Sequence, residues 1–366
     1  MIKNLFDETK VKNLDIKNRF IRSAVWMKMA EKDGHINDEI IKVYEELAQG
    51  EVGLILTGYA FISKDEQPNP RMLGIYDDSF IEEYKVLVDK VHQHGSKIAL
   101  QIVFGGSQSH HPNVNEMNIL GPSQVENRVT EITPREATKL EIESIVKKFG
   151  DAAVRAKKSG FDAVQIHAAH GYFLSQFLTP YYNRRNDEYG GNIHNRARII
   201  YEVIEEVRKR VGDEYPIMIK LNFDDFMDEG EGLIEAEAME VFKTVDKLGV
   251  DIIEVSAVNE SSGKGMAPAR TSIKSLNKQS YFREVTAKIA REVSAKVILM
   301  GGNRNINLMH EILNTTNIEY FSIARPLLCE PDLINKWIKN IDYIPKCISC
   351  NKCWETEPNK CILNRI

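Results

Sequence analysis

The sequence predicts an α/β protein, a closed (β/α)8 TIM barrel forming a single domain with a short Cys-rich tail, and three observations carry that expectation. First, one phrase recurs at Gly50, Gly95, Gly160 and Gly249: a helix-like amphipathic stretch ends at the Gly, two residues follow, and an apolar run begins. Gly suits the left-handed position that closes a helix, so each instance reads as helix, stop, strand. Second, apolar runs alternate with helical stretches along the whole chain, as a parallel sheet requires. Third, the apolar runs end in Thr57, Gln101, His167, Lys220, Ser256, Gly301-Gly302 and Arg325. Polar or small residues past many strands suit a barrel, whose carboxyl ends converge on one face. An open sheet would concentrate its chemistry at one switch point, and no G-x-G-x-x-G follows the first strand.

In order, the strand-like runs cover 19–24, 53–57, 98–101, 163–167, 216–221, 252–256, 296–300 and 320–324. Ile81, Tyr84, Leu87, Val88 and Val91 keep helical spacing before Gly95. Further helices are expected near 193–211, 235–248, 283–293, 305–314 and 331–340. Two long connections, 103–137 and 168–192, carry Gly105-Gly106, His110-His111-Pro112, Tyr172, Tyr181-Tyr182 and Gly190-Gly191. Loops of that length in a compact domain are functional or mobile. The barrel is expected over 1–340 and the Cys-rich tail over 341–366.

Composition narrows the function. The 366 residues carry 48 basic and 53 acidic side chains, a formal charge of −5 without a strongly basic block. That argues against a nucleic-acid or anionic-membrane partner. No apolar run approaches the roughly 18–20 residues of a membrane span, and the first residues lack the apolar core of a secretion signal. A cytoplasmic homo-oligomer is expected. Four of the five cysteines, Cys347, Cys350, Cys353 and Cys361, fall within the last twenty residues, with Cys329 apart. An odd total argues against a disulfide framework.

Three constellations could carry chemistry. His167-Ala168-Ala169-His170-Gly171-Tyr172 sits where a strand gives way to a loop. Two imidazoles three residues apart can donate to one oxygen, and a phenol two residues on can supply a proton. The same pair could be ordinary core histidines, or chelate zinc given a third ligand. Lys220 ends an apolar strand, where it could hold a cofactor anion, form a Schiff base, or snorkel to the rim. Gly301-Gly302-Asn303-Arg304 and Ala324-Arg325-Pro326 follow strands seven and eight, whose loops frequently bind phosphate in such barrels. Glycines admit an oxyanion close to backbone N–H groups and Arg can grip it; a tight turn with a surface Arg is the plainer alternative.

Together these residues resemble the Old Yellow Enzyme family of flavin-dependent ene-reductases over nearly the whole chain. Asn18-Arg19-Phe20, Gln101, Gly121-Pro122-Ser123, the His-x-x-His-Gly-Tyr segment, Gln176-Phe177-Leu178, Asn183 to Gly191 and Asn195-Arg196 fall in the expected order. The resemblance implies FMN across the barrel mouth. Ser23, Ala24, Val25 and Trp26 would line the flavin edge, Gln101 would bond the pyrimidine, and Lys220 would sit near N1/O2. Gly301, Gly302, Asn303, Ala324 and Arg325 would hold the phosphate. His167 and His170 would hold the carbonyl oxygen of an α,β-unsaturated substrate, Tyr172 would protonate it, and NAD(P)H would reload the flavin. Trp26 replaces a common Thr or Cys, Val103-Phe104-Gly105-Gly106 replaces the usual segment after Gln101, and Lys220 replaces the usual Arg, a point donor without the bidentate fork.

The tail cysteines resemble the cluster-binding segment of trimethylamine dehydrogenase and 2,4-dienoyl-CoA reductase, which implies a [4Fe–4S] cluster on Cys347, Cys350, Cys353 and Cys361. The last gap is shorter than in those proteins. A zinc site and a metal-free remnant stay open. The length accommodates barrel and tail but not the further nucleotide-binding domains of those relatives, so an external electron-transfer partner is expected. Two other functions compete: a Schiff-base lyase using Lys220 in a phosphate-binding barrel, and a non-catalytic flavin or cluster electron carrier. Cys329 is expected to be a buried structural thiol.

Overall fold

Eight parallel strands close on themselves in the computed structural model, which describes residues 2–263 and 268–364. They are β1 (Phe20–Arg22), β2 (Leu54–Leu56), β3 (Lys97–Val103), β4 (Ala163–Ala168), β5 (Ile217–Asn222), β6 (Ile252–Ser256), β7 (Lys296–Leu299) and β8 (Tyr320–Ile323). Each pairs with the next, and β8 pairs back onto β1, so the sheet has the ring order of a (β/α)8 barrel. Outer helices include α1 (Asp38–Gln49), α2 (Phe80–His92), α3 (Lys139–Lys158), α4 (Arg198–Val211), α5 (Glu235–Lys247), α6 (Arg283–Glu292), α7 (Ile306–Thr315) and α8 (Leu333–Lys339). Local sequence explains their ends. Thr138 and Glu141 form a reciprocal capping box at the start of α3, and Asn37 and Asn305 cap α1 and α7 by accepting from backbone N–H groups.

The helix-closing glycines behave as expected at Gly95, Gly160 and Gly249, which all have φ between +71° and +86°. Gly50 does not. Its φ is −75°, and Glu51 takes the left-handed position instead. What Gly50 provides is room: a Cβ there would lie 1.9 Å from the carbonyl oxygen of Pro331. The helix expected over 193–211 is likewise two pieces, Ile193–Arg196 and Arg198–Val211. At the joint Arg196 is buried, donating to the carbonyls of Leu178 and Gly191 and pairing with Glu237 at 2.6 Å.

The barrel interior is layered by the period-two rule of strands. Ile21, Ala99, Ala163, Met218, Ile252, Ile298 and Tyr320 form a buried apolar layer. The antiparallel hairpin Thr9–Val11 and Leu14–Ile16 packs against it, contributing Val11, Leu14 and Ile16 to the same cluster. Two residues further along the strands the interior turns polar: Ser23, Gln101, Gln165, Lys220, Glu254 and Ser322 are all buried. The apolar layer thus supports a polar floor at the carboxyl ends.

Both long connections are organised. Residues 103–137 include the short parallel pair Leu120–Gly121 and Arg135–Glu136, and 168–192 include the helix Phe173–Leu178. Arg185 ties the two loops together. Its guanidinium donates to the carbonyls of Pro122 (3.0 Å) and Ala137 (2.7 Å) while pairing with Asp187. The tail folds back onto the barrel: the backbone N–H of Asn359 donates to Met27, and its side chain to the carbonyl of Trp26 at 2.6 Å. Among the described residues, no helix is long and apolar enough to cross a membrane.

Candidate active site

At the carboxyl ends of the strands lies a cavity of about 1240 Å³, partly open to solvent. Every residue expected there lines it: Ser23, Ala24, Val25, Trp26, Gln101, His167, His170, Tyr172, Lys220, Gly301, Gly302, Asn303, Ala324 and Arg325. Strand ends deliver them from around the ring, as the fold dictates. Arg304, from the first of the two glycine–arginine loops, joins them, and several further residues on the wall escaped prediction, among them Tyr59, Glu260, Tyr281 and, from the tail, Ser349, Trp354 and Asn359.

The floor is a continuous polar network centred on Glu254. Gln101 Nε2 donates to Gln165 Oε1 at 2.6 Å, and Gln165 Nε2 donates to Glu254 Oε2 at 3.1 Å. Glu254 Oε1 accepts from Ser23 Oγ (2.8 Å) and Ser322 Oγ (2.7 Å) and pairs with Lys220 Nζ at 3.3 Å. Strand register creates this pair, because Lys220 sits opposite Glu254 on one side and His167 on the other. Burial alone would raise the Glu254 carboxyl; Lys220 and the three donors reverse that and hold it below its ordinary value. The signal for this residue was a carboxylate between Ile253 and Val255 in an otherwise apolar strand.

His167 and His170 face each other edge-on, with ring centroids 5.3 Å apart at 88°. His167 Nδ1 is buried without a partner, whereas His170 Nε2 lies 2.6 Å from Ser256 Oγ. Burial, reinforced by the Lys220 cation, pushes both imidazoles well below their ordinary value, so they are neutral at pH 7. For a neutral His170 to donate through Nδ1, Ser256 must be the donor to Nε2. Tyr172 stands 5.0 Å from His167, ring to ring. Burial and the nearby Glu260 raise its phenol, so it keeps its proton at neutral pH. Trp26 packs beside Phe61, Met72, Val103 and Tyr172, fixed by a bond from Nε1 to the carbonyl of Pro70.

At the other end two guanidinium groups line the cavity, and both are held by the tail. Arg325 Nη1 donates to Asn351 Oδ1, and Arg304 donates to Ser349 Oγ and the carbonyl of Pro345. Gly301 and Gly302 both have positive φ, and a Cβ on either would come within 2.8 Å of the Tyr281 ring. The side chain of Asn303 is spent on structure, donating to Leu299 and Ser322 and accepting from Ser280, which leaves its backbone for any ligand. Cations after β7 and β8, an unpartnered imidazole nitrogen at the end of β4 across the ring and a polar floor beneath suit an anionic ligand with a polar ring system, such as FMN.

Beside this cavity lies a smaller one of about 300 Å³, lined by Cys347, Cys350, Cys353 and Cys361 together with Arg325. Cys329 is buried, as expected, and packs against Cys347 and Cys361. All five are free thiols. Among the described residues, no three His, Cys, Asp or Glu side chains are grouped to hold a metal ion.

Comparison with known proteins agrees with this architecture. The family model for the NADH:flavin oxidoreductase / NADH oxidase family matches residues 4–343. The chain is 33% identical over 356 residues to an NADH oxidase of Thermoanaerobacter brockii, covering 95% of this chain but 53% of that protein. It is 33% identical over 340 residues to an NADPH dehydrogenase of Clostridium acetobutylicum, covering 92% of this chain and 96% of the other. A cinnamate reductase of Clostridium sporogenes is 30% identical, over 96% of this chain and 55% of its own length. The chain therefore spans about half of some relatives and nearly all of others. Among solved structures, morphinone reductase superposes with a TM-score of 0.78 at 24% identity, over 94% of this chain and 92% of its own. This chain belongs to the NADH:flavin oxidoreductase / NADH oxidase family of FMN-dependent barrel enzymes, the Old Yellow Enzyme group that its motifs resemble.

Proposed function

We propose that this barrel carries hydride from NAD(P)H to an activated alkene, with His167, His170 and Tyr172 as the substrate-handling groups. The observation that supports it is their shared wall on one cavity, two neutral imidazoles beside a protonated phenol. FMN held in this cavity would supply the hydride-transfer chemistry between nicotinamide and alkene. The histidines donate to the carbonyl oxygen of the substrate and draw electron density from the β-carbon. Tyr172 delivers a proton to the α-carbon. Arg304, Arg325 and the backbone at Gly302 and Asn303 would hold the FMN phosphate, while Lys220, Gln101 and the residues from Ser23 to Trp26 would line its ring system. The cinnamate reductase and morphinone reductase among its relatives favour this substrate class.

The lyase reading has less support, since the ion pair with Glu254 holds the Lys220 nitrogen as a donor rather than a free nucleophile. Tyr172→Phe is the deciding variant. It should slow alkene reduction about 100-fold and leave flavin reduction by NAD(P)H largely intact. Equal loss in both half-reactions removes Tyr172 from the proton-donor role.

For residues 341–366, taken as an extension that completes the barrel wall, we propose a [4Fe–4S] cluster on Cys347, Cys350, Cys353 and Cys361, serving an external electron-transfer partner. Four thiols on one cavity support it. Iron and sulfide analysis of anaerobically prepared protein decides between cluster, zinc and no metal. Free thiols suit a reducing compartment, and we place the protein in the cytoplasm on that ground.

A further inference from the structure

Tyr59 stands on the same cavity wall as Tyr172, yet arrives from a different strand end. It follows β2 closely, whereas Tyr172 follows β4, and their ring centroids are 5.6 Å apart. Between them lies Asn69, only 1% exposed. Its Nδ2 donates to the Tyr59 oxygen at 3.2 Å and reaches the Tyr172 oxygen at 3.4 Å. One buried amide nitrogen is thus shared by two phenol oxygens, which holds both against the same donor.

We propose that Tyr59 is a positioning and proton-relay residue for Tyr172, stabilising the oxygen that gives up its proton and then replacing that proton from solvent. The inference rests on the reading of Tyr172 as the proton donor. In the donation step the Tyr172 O–H bond breaks, the proton forms the new C–H bond at the substrate α-carbon, and the electron pair stays on the Tyr172 oxygen. In the restoring step the Tyr59 proton moves to that oxygen. A water at the cavity mouth protonates Tyr59 in the same shift, and hydroxide leaves to solvent. One solvent proton is consumed per alkene, and no electrons are exchanged beyond the hydride already assigned.

The electrostatics agree with the direction of this bond. Burial raises both phenols, and the neighbouring Tyr172 raises Tyr59 further. The hydrogen bond from Tyr59 works the other way on Tyr172, easing its ionisation. Tyr172 is therefore the oxygen better able to carry charge. Asn69 adds a second donor to the same oxygen. Neither contribution requires Tyr59 to touch the substrate.

The test uses flavin-loaded enzyme reduced with dithionite and mixed anaerobically with cyclohex-2-enone, following flavin re-oxidation. Tyr59→Phe keeps the ring, and its folding is checked by flavin absorbance and thermal midpoint. The limiting rate should fall about tenfold, with the saturation constant for the enone within about twofold of wild type. Only in the variant should the rate climb with the concentration of buffer acid, a response that lost packing would not produce. The Tyr59→Phe/Tyr172→Phe double variant should be no slower than Tyr172→Phe alone, because both act on one proton. An unchanged limiting rate in Tyr59→Phe, with Tyr172→Phe strongly impaired, refutes the relay and leaves the reading of Tyr172 standing. A double variant slower than Tyr172→Phe also refutes it, since Tyr59 would then act independently. A Tyr172→Phe enzyme as fast as wild type overturns the underlying reading and the relay with it.

Discussion

Glu254→Gln keeps the side-chain volume of the barrel floor and removes one charge, which makes its cost calculable. Lys220 Nζ lies 3.3 Å from Glu254 Oε1, with the two side chains 4% and 0% exposed. At an effective dielectric constant of about 20 their attraction is about 5 kcal/mol. Removing one partner of such a pair, and so leaving Lys220 buried without its counter-charge, costs about 3–5 kcal/mol. For 366 residues the unfolding entropy is about 0.8 kcal/mol per degree, so the thermal midpoint should fall by roughly 5 °C. The assay is calorimetry of flavin-loaded protein at neutral and at acidic pH. The Glu254 carboxyl is held below its ordinary value of 4.5 in the folded protein. A depressed folded value means that its contribution is complete above 4.5 and is lost as pH falls through the folded value. The gap between wild type and variant should therefore be constant near neutrality and close only in acid. A variant midpoint within about 1 °C of wild type at pH 7 would refute the reasoning. So would a Lys220→Met/Glu254→Gln double variant as unstable as the two single losses combined, because coupled charges do not add.

Two further outcomes follow from the ends of the cavity. Arg325→Met removes a guanidinium from the phosphate end and should weaken FMN binding by about ten- to a hundredfold, the worth of one charge-assisted contact; fluorescence titration of flavin-stripped protein measures it, and unchanged affinity places the phosphate elsewhere. Because burial and Lys220 keep His167 and His170 neutral well below pH 6.5, the enone saturation constant should stay flat from about pH 6 to 8. A titration with a midpoint in that window would contradict the neutral pair.

Much of this molecule was legible because its chemistry repeats with the period of its strands. The apolar run that marks a strand and the polar residue that ends it are both local patterns, so Gln101, His167 and Lys220 could be placed at the barrel mouth before any contact was known. Motif order then located Tyr172, His170 and the two glycine–arginine loops on the cavity wall. Gly50 shows where local rules fail. Its place at a helix end matches the left-handed stop, but its real constraint is the Pro331 carbonyl 1.9 Å from where a Cβ would stand. Nothing adjacent in sequence records that approach. Tyr59, Asn69 and Glu260 were missed for the same reason: each looks like an ordinary loop residue until the barrel closes. Asn303 does line the cavity, yet two hydrogen bonds that knit β7 to β8 and a third from Ser280 occupy its side chain.

The tail extends this argument from packing to function. Its cysteines announce themselves by spacing, whereas its role in the flavin cavity has no local signature at all. Arg304 and Arg325 reach the cavity from strands seven and eight, but their guanidinium groups are aimed by Ser349, Pro345 and Asn351. Asn359 holds the Trp26 carbonyl on the far side of the same wall. Arg325 lines both the large cavity and the thiol-lined one. A long flexible cation loses rotamer freedom on binding an anion unless something else has already fixed it. The tail does that fixing, so its removal would be felt at the cation-lined end of the cavity even if its thiols held nothing. The two cavities are for this reason joined through one side chain, and a variant at Cys347 or Cys353 is expected to change flavin affinity, measured by the same titration, before any effect is assigned to electron transfer.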